Sequence, residues 1–197
     1  MNYLAHLYLA DRVSGGEPLA LVGNLMGDFV KGPVADHWPP SIRDGIILHR
    51  QIDSFTDRHP VVTTSKTRLD DGFRRYGGIL IDVFYDHFLS RCWPDYCAEP
   101  LDQFSRRVYR ILTDCYSDLP PRMQTSVDYM IGRDLLVSYR QRDGIARSLL
   151  GLSTRLSRTN RLADGIGQLD RHYEDLATDF ELFFPQLIDY TTEQYRH

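Results

Sequence analysis

Between Gly77-Gly78 and Pro94 lies a stretch, 79–93, that as a helix would be apolar around nearly its whole circumference, yet it carries two aspartates four residues apart. At roughly 100° per residue, Asp82 and Asp86 project about 40° from each other. Ile79 and Leu89 flank them, and Ile81, Phe84, Tyr85 and Phe88 cover much of the remaining surface. A helix that is apolar all round belongs in an interior, so both carboxylates enter the core together. Neighbouring anions in a low-dielectric interior repel each other and lose their hydration. They require a metal ion, an arginine or a shared proton. The chain must therefore surround this helix with other elements and answer two buried acids.

The remaining sequence supplies helices for that purpose. Apolar residues recur at helical spacing, and no stretch sustains strand alternation. Helices are expected over 2–11, 18–30, 41–56, 61–73, 79–93, 101–116, 125–138 and 140–153, with another beyond Pro120-Pro121. A long amphipathic helix is expected from 164 to the C-terminus, with a kink at Pro185. Prolines at helix starts and Gly15-Gly16, Gly32-Pro33 and Gly77-Gly78 at the breaks punctuate the pattern. No repeat or linker divides the 197 residues, so the expected architecture is an all-α, single-domain helical bundle spanning 1–197. A net charge of −4 argues against a dedicated nucleic-acid binder. No apolar run reaches the roughly 18 residues of a membrane span, and the N-terminus lacks the order of a signal peptide. Cys92, Cys97 and Cys115 are odd in number and lack metal-finger spacing, so a cytoplasmic location is expected.

Polar pairs four apart recur elsewhere: Asn2/His6, Asn24/Asp28, and His49/Asp53 continuing to Asp57. Residues at this spacing share a helix face, so each pair can aim two ligand groups at one point, although surface ion pairs use the same spacing. Gly23 and Gly27 bracket Asn24 within a helical pattern, which suits a place where a backbone or ligand comes close. His6, Asp28, His49, Asp53, Asp82 and Asp86 are the candidate metal ligands, with His87 beside the last. Asp57 is equally a helix-end group. His37, His59, His172 and His197 have no convergent partner and read as structural or solvated. A shared centre of this composition, rich in carboxylate with some imidazole, favours manganese, iron or magnesium over a closed structural zinc site. It suits metal-assisted hydrolysis of phosphate esters.

Several segments carry a resemblance. Met1-Asn2-Tyr3-Leu4-Ala5-His6, Gly23-Asn24 with Gly27-Asp28-Phe29-Val30-Lys31-Gly32, and the run from His49 to Asp57 resemble the acyl carrier protein phosphodiesterase family. So do Asp82-Val83-Phe84-Tyr85-Asp86-His87-Phe88-Leu89, Leu169-Asp170-Arg171-His172-Tyr173 and Phe183-Phe184-Pro185. The resemblance implies a divergent HD-type phosphohydrolase that uses manganese, with magnesium or iron as alternatives. Its substrate would be holo-acyl carrier protein, cleaved to apo-carrier and phosphopantetheine. The adjacent His-Asp signature of HD enzymes is absent here: Asp86-His87 is reversed, and His49 and Asp53 stand four apart.

The resemblance further implies catalytic roles for His6, His49, Asp53, Asp86 and His87, a histidine outside the metal shell being the natural proton donor. Lys31, Arg50 or Arg58 would neutralise the phosphoryl group. An acidic carrier needs a basic face, for which Arg106, Arg107 and Arg110, or Arg155, Arg158 and Arg161, are the candidates. Two other classes fit the same residues. One is a phosphohydrolase for a nucleotide or other small phosphodiester. The other is a non-enzymatic helical interaction protein whose buried acids pair with arginines.

Overall fold

In the computed structural model, which describes residues 1–195, twelve α-helices are joined by turns, loops and three short 3-10 helices, and no strand occurs among the described residues. They are α1 (Tyr3–Ser14), α2 (Pro18–Met26), α3 (Pro40–Arg58), α4 (Pro60–Arg68), α5 (Gly77–Arg91) and α6 (Trp93–Tyr96). The rest are α7 (Leu101–Asp114), α8 (Pro121–Gly132), α9 (Leu135–Ser138), α10 (Arg142–Arg155), α11 (Ile166–Arg171) and α12 (Tyr173–Tyr195). The fold is all-α, built on one contiguous hydrophobic core. The expectation for His197 lies outside the described residues.

Helix α5 occupies the centre, packed by α1, α4, α10 and α12. Leu80, Ile81, Phe84, Tyr85 and Leu89 are fully buried there, against an aromatic layer from α12 of Phe180, Phe183 and Phe184. The most intimate packing is between α2 and α3. A Cβ on Gly23 would stand 2.3 Å from the Ile42 carbonyl, and one on Gly45 would stand 2.4 Å from that of Ala20. The glycines bring these two backbones together, and that contact fixes which residues of α2 and α3 share a wall.

Four of the departures from the expected boundaries have a visible cause. Helix α2 stops at Met26 rather than reaching residue 30: the Phe29 and Val30 amides both bond the Met26 carbonyl, closing a turn that carries Asp28 to the surface. Helix α4 ends at Arg68, where the Asp70 amide turns to the side chain of Gln168 at 2.8 Å. The stretch 125–138 divides into α8 and α9 at Asp134, which takes a left-handed conformation (φ 43°). The long last helix begins only at Tyr173, since His172 leaves helical geometry (φ −114°, ψ 22°). Each break depends on a tertiary partner or a single dihedral, to which apolar periodicity is blind. Pro185 stands inside α12, and the helix continues through it. No helix among the described residues is long and apolar enough to cross a membrane.

Candidate metal centre

Two helices bring their polar groups to one point. His6 projects from α1, and His49 and Asp53 share a face of α3 one turn apart. His6 Nε2 lies 3.1 Å from Asp53 Oδ1, and His49 Nε2 lies 3.1 Å from Asp53 Oδ2. The imidazoles stack on each other, centroids 4.1 Å apart and planes 20° from parallel. One donor atom from each of His6, His49 and Asp53 falls within 4.8 Å of the other two, a spacing at which one ion can bridge all three. Asp28 adds Oδ1 at 3.5 Å from His49 Nε2. The α-amino nitrogen of Met1 lies 3.1 Å from Asp82 and 3.6 Å from Asp53. Gly27 is what admits the His49 ring, because a Cβ there would stand 2.2 Å from it.

The imidazoles form a floor and the carboxylates a rim. His6 and His49 are nearly sealed, whereas the side chains of Asp28 and Asp53 are 51% and 43% exposed. A cavity of about 330 Å3 opens over Asp28, His49 and Asp53, and Lys31 and Arg50 also line it. Arg50 donates to the Val30 carbonyl at 2.9 Å and thereby holds the loop that carries Asp28.

Electrostatics separates the two histidines. Burial, reinforced by the neighbouring His49, pushes His6 down to about 4. Burial works against the charged form of His49 too, but hydrogen bonds to Asp28 and Asp53 outweigh it and raise His49 to about 9. Burial would lift Asp53 and Asp28; their bonds to the imidazoles prevail and hold both below the usual carboxylate range. Asp82 moves the other way, raised by burial despite the Met1 ammonium. Both Nδ1 atoms, on His6 and on His49, are buried without a hydrogen-bond partner among the described residues. A protein of this composition would rarely leave such a group closed on itself.

Asp86 and His87 stand outside this cluster. Asp86 is fully buried, and its two oxygens accept the Leu4 amide at 2.8 Å and the Ala5 amide at 3.0 Å, anchoring the first turn of α1. Burial raises it to about 7 in spite of those bonds. His87 directs Nδ1 at the Tyr139 carbonyl (2.7 Å) and Nε2 at the Tyr173 hydroxyl (3.0 Å). Asp57 pairs with Lys66, and Arg58 sits exposed at the end of α3, outside the cavity lining. Among the docking candidates, Arg107 is held by Asp11 and Glu99 at 2.7 Å each, and Arg106 by Asp102 at 3.0 Å. Arg110 is exposed with no ion pair among the described residues. Arg161 pairs with Asp164 and lies over the Phe73 ring.

A family model for acyl carrier protein phosphodiesterases matches residues 1–187. An acyl carrier protein phosphodiesterase from Klebsiella pneumoniae subsp. pneumoniae is 39% identical over 189 residues, covering 95% of this chain and 96% of that protein. One from Enterobacter sp. (strain 638) is 38% identical with the same coverage. This chain belongs to the acyl carrier protein phosphodiesterase family. No solved structure matches it.

Within the family's sequence, the donors gathered here suit a divalent ion. Two imidazole nitrogens and a carboxylate, with a second carboxylate at the rim and no thiolate, are the mixture that hard-to-borderline divalent metals take. Sequence reasoning missed the Met1 nitrogen and the division of labour between Asp82 and Asp86. Equal spacing on one helix face carried no sign that the start of α1 would claim Asp86 alone.

Proposed function

We propose that this chain hydrolyses the phosphodiester between phosphopantetheine and a serine of holo-acyl carrier protein, with a divalent metal held by His6, His49 and Asp53 and supplemented by Asp28. The observation that carries the proposal is the convergence of those three donors beneath an open, partly basic cavity, in a chain matched to the family over 1–187. Manganese is the metal preferred in this reading, before magnesium or iron. Such an ion supplies Lewis acidity and a water whose pKa falls towards about 7. The bundle is then a divergent HD-type scaffold in which His49 and Asp53 act one helical turn apart.

The protein's own groups do the remainder. Lys31 and Arg50 set positive charge beside the phosphoryl oxygens. The departing serine alkoxide needs a proton, and Asp82 borders the centre in an ion pair with the Met1 ammonium 3.1 Å away. Asp86 acts as a positioning residue by anchoring the turn that precedes His6. The carrier is acidic, so it approaches over Lys31 and Arg50, and the reaction belongs in the cytoplasm. Incubation with purified holo-acyl carrier protein and manganese tests this: the carrier should lose the mass of its prosthetic group, and His49→Ala should abolish most of that loss. A carrier of unchanged mass alongside rapid turnover of small phosphodiesters would overturn the assignment of substrate.

A further inference from the structure

Asp28 stands between two openings. One is the basic approach just described. The other, about 300 Å3, has Asp28, Asp82 and Met1 at its inner edge and Tyr3, Ile79 and Leu152 among its walls. It also contains Arg155, at the end of α10. Asn2, Tyr3, Leu152 and Arg155 continue from this cleft into a recess closed by Tyr129, Tyr139 and Ser148, where only about 20 Å3 of free space remains. The recess adjoins the cleft and has room for about one water molecule, so the cleft is the groove that can take a ligand.

Asn2 donates to the Tyr139 hydroxyl at 2.9 Å, which leaves few free polar groups along these walls. Ser148 is 6% exposed, and its hydroxyl has no hydrogen-bond partner among the described residues. An unsatisfied buried hydroxyl is costly, which is why nearly all such groups are paired. Arg155 is exposed, makes no ion pair among the described residues, and has its guanidinium 5.9 Å from the centre of the Tyr129 ring. Apolar walls with a few isolated polar groups are the usual lining of a small-molecule site.

We propose that this groove holds the arm of the substrate that remains on the phosphate, a flexible chain of alternating apolar and amide segments. Arg155 donates to its oxygen atoms near the phosphate, and Tyr3, Ile79 and Leu152 pack against its apolar segments. The inference rests on the phosphodiesterase reading above. A phosphodiester has two sides. The carrier side is a folded acidic protein and needs the open approach past Lys31 and Arg50. The other side is a single chain, which a cleft of about 300 Å3 admits and a folded domain does not enter.

Free phosphopantetheine and inorganic phosphate, each used as an inhibitor of holo-carrier hydrolysis, separate the arm from the phosphate. Arg155→Gln should weaken inhibition by phosphopantetheine on the order of tenfold, the cost of losing one charge-assisted hydrogen bond. Ser148→Ala, in the recess behind the cleft, should leave it unchanged, and inhibition by phosphate should stay as in the wild type for both. Arg155 is exposed and the Ser148 hydroxyl is unpaired in the fold, so both variants should melt as the wild type does. Equal inhibition of all three proteins by phosphopantetheine, with the wild type hydrolysing carrier, overturns the groove and leaves the phosphodiesterase reading intact. A wild type that hydrolyses no carrier overturns both.

Discussion

Two polar clusters touch α5 and its neighbours, one buried and one open to a cleft, and they are built on opposite logic. Between α4, α5 and α12, Asp179 is 4% exposed and accepts Arg68 Nε at 2.8 Å, Arg68 Nη2 at 3.1 Å and the Ser65 hydroxyl at 2.7 Å. Ser65 in turn meets the Tyr85 hydroxyl at 2.8 Å. This cluster contains its own guanidinium. Between α1, α3 and α5, two imidazoles share Asp53, both Nδ1 atoms lack partners, and no arginine or lysine pairs with Asp28, Asp53 or Asp82 among the described residues. An acid answered by a fixed arginine is part of the scaffold. An acidic group open to a cleft and answered only by imidazoles and an ammonium is a place for a cation from outside.

Removing one partner from each cluster should have opposite consequences. Asp179→Ala strands the Ser65–Tyr85 pair and leaves Arg68, itself 29% exposed, to Asp175 alone, so urea unfolding should show a loss of about 1–3 kcal/mol, with turnover per folded molecule retained. Asp53→Ala should retain the fold by circular dichroism and lose more than about 100-fold in activity, since even partners one layer behind a metal cost about 10–100-fold. Manganese at roughly a hundred times its dissociation constant should stabilise the wild type by about 2.7 kcal/mol and leave Asp53→Ala unmoved. If manganese stabilises both proteins equally, the contrast between the clusters fails.

Asp86 sharpens the comparison with a smaller effect. It holds its proton up to about 7 when folded and only to the ordinary carboxylate value of 3.8 when unfolded. The folded state therefore binds more protons between about 4 and 7, and the stability contributed by this group declines as pH rises through that window. Melting curves across the window should fall more steeply for the wild type than for Asp86→Asn. Parallel curves would place Asp86 in a different environment from that of an acid capping α1.

The buried helix around Asp82 and Asp86, the helical class of the whole chain and the pairing of His49 with Asp53 were all readable from spacing. So was the need for a close neighbour at Gly23 and Gly27, since a glycine inside a helix is costly unless contact requires it. Spacing could not separate Asp82 from Asp86, which differ only in whether another helix begins over them. It could not show that Arg107 is engaged by Asp11, which reaches it from across the bundle. Nor could it move Arg155 from an arginine cluster into a cleft, because that depends on where α10 ends relative to α1.

Sequence alone determined which faces must be buried and which ionisable residues share a face, because helical period converts residue number directly into direction. The tertiary structure alone decided what answers each buried charge: an arginine for Asp179, two backbone amides and a proton for Asp86, and a gathered set of imidazoles and carboxylates around Asp53. Charge compensation acts over a few ångströms of space, and residues tens of positions apart in the chain come that close only after the helices have packed.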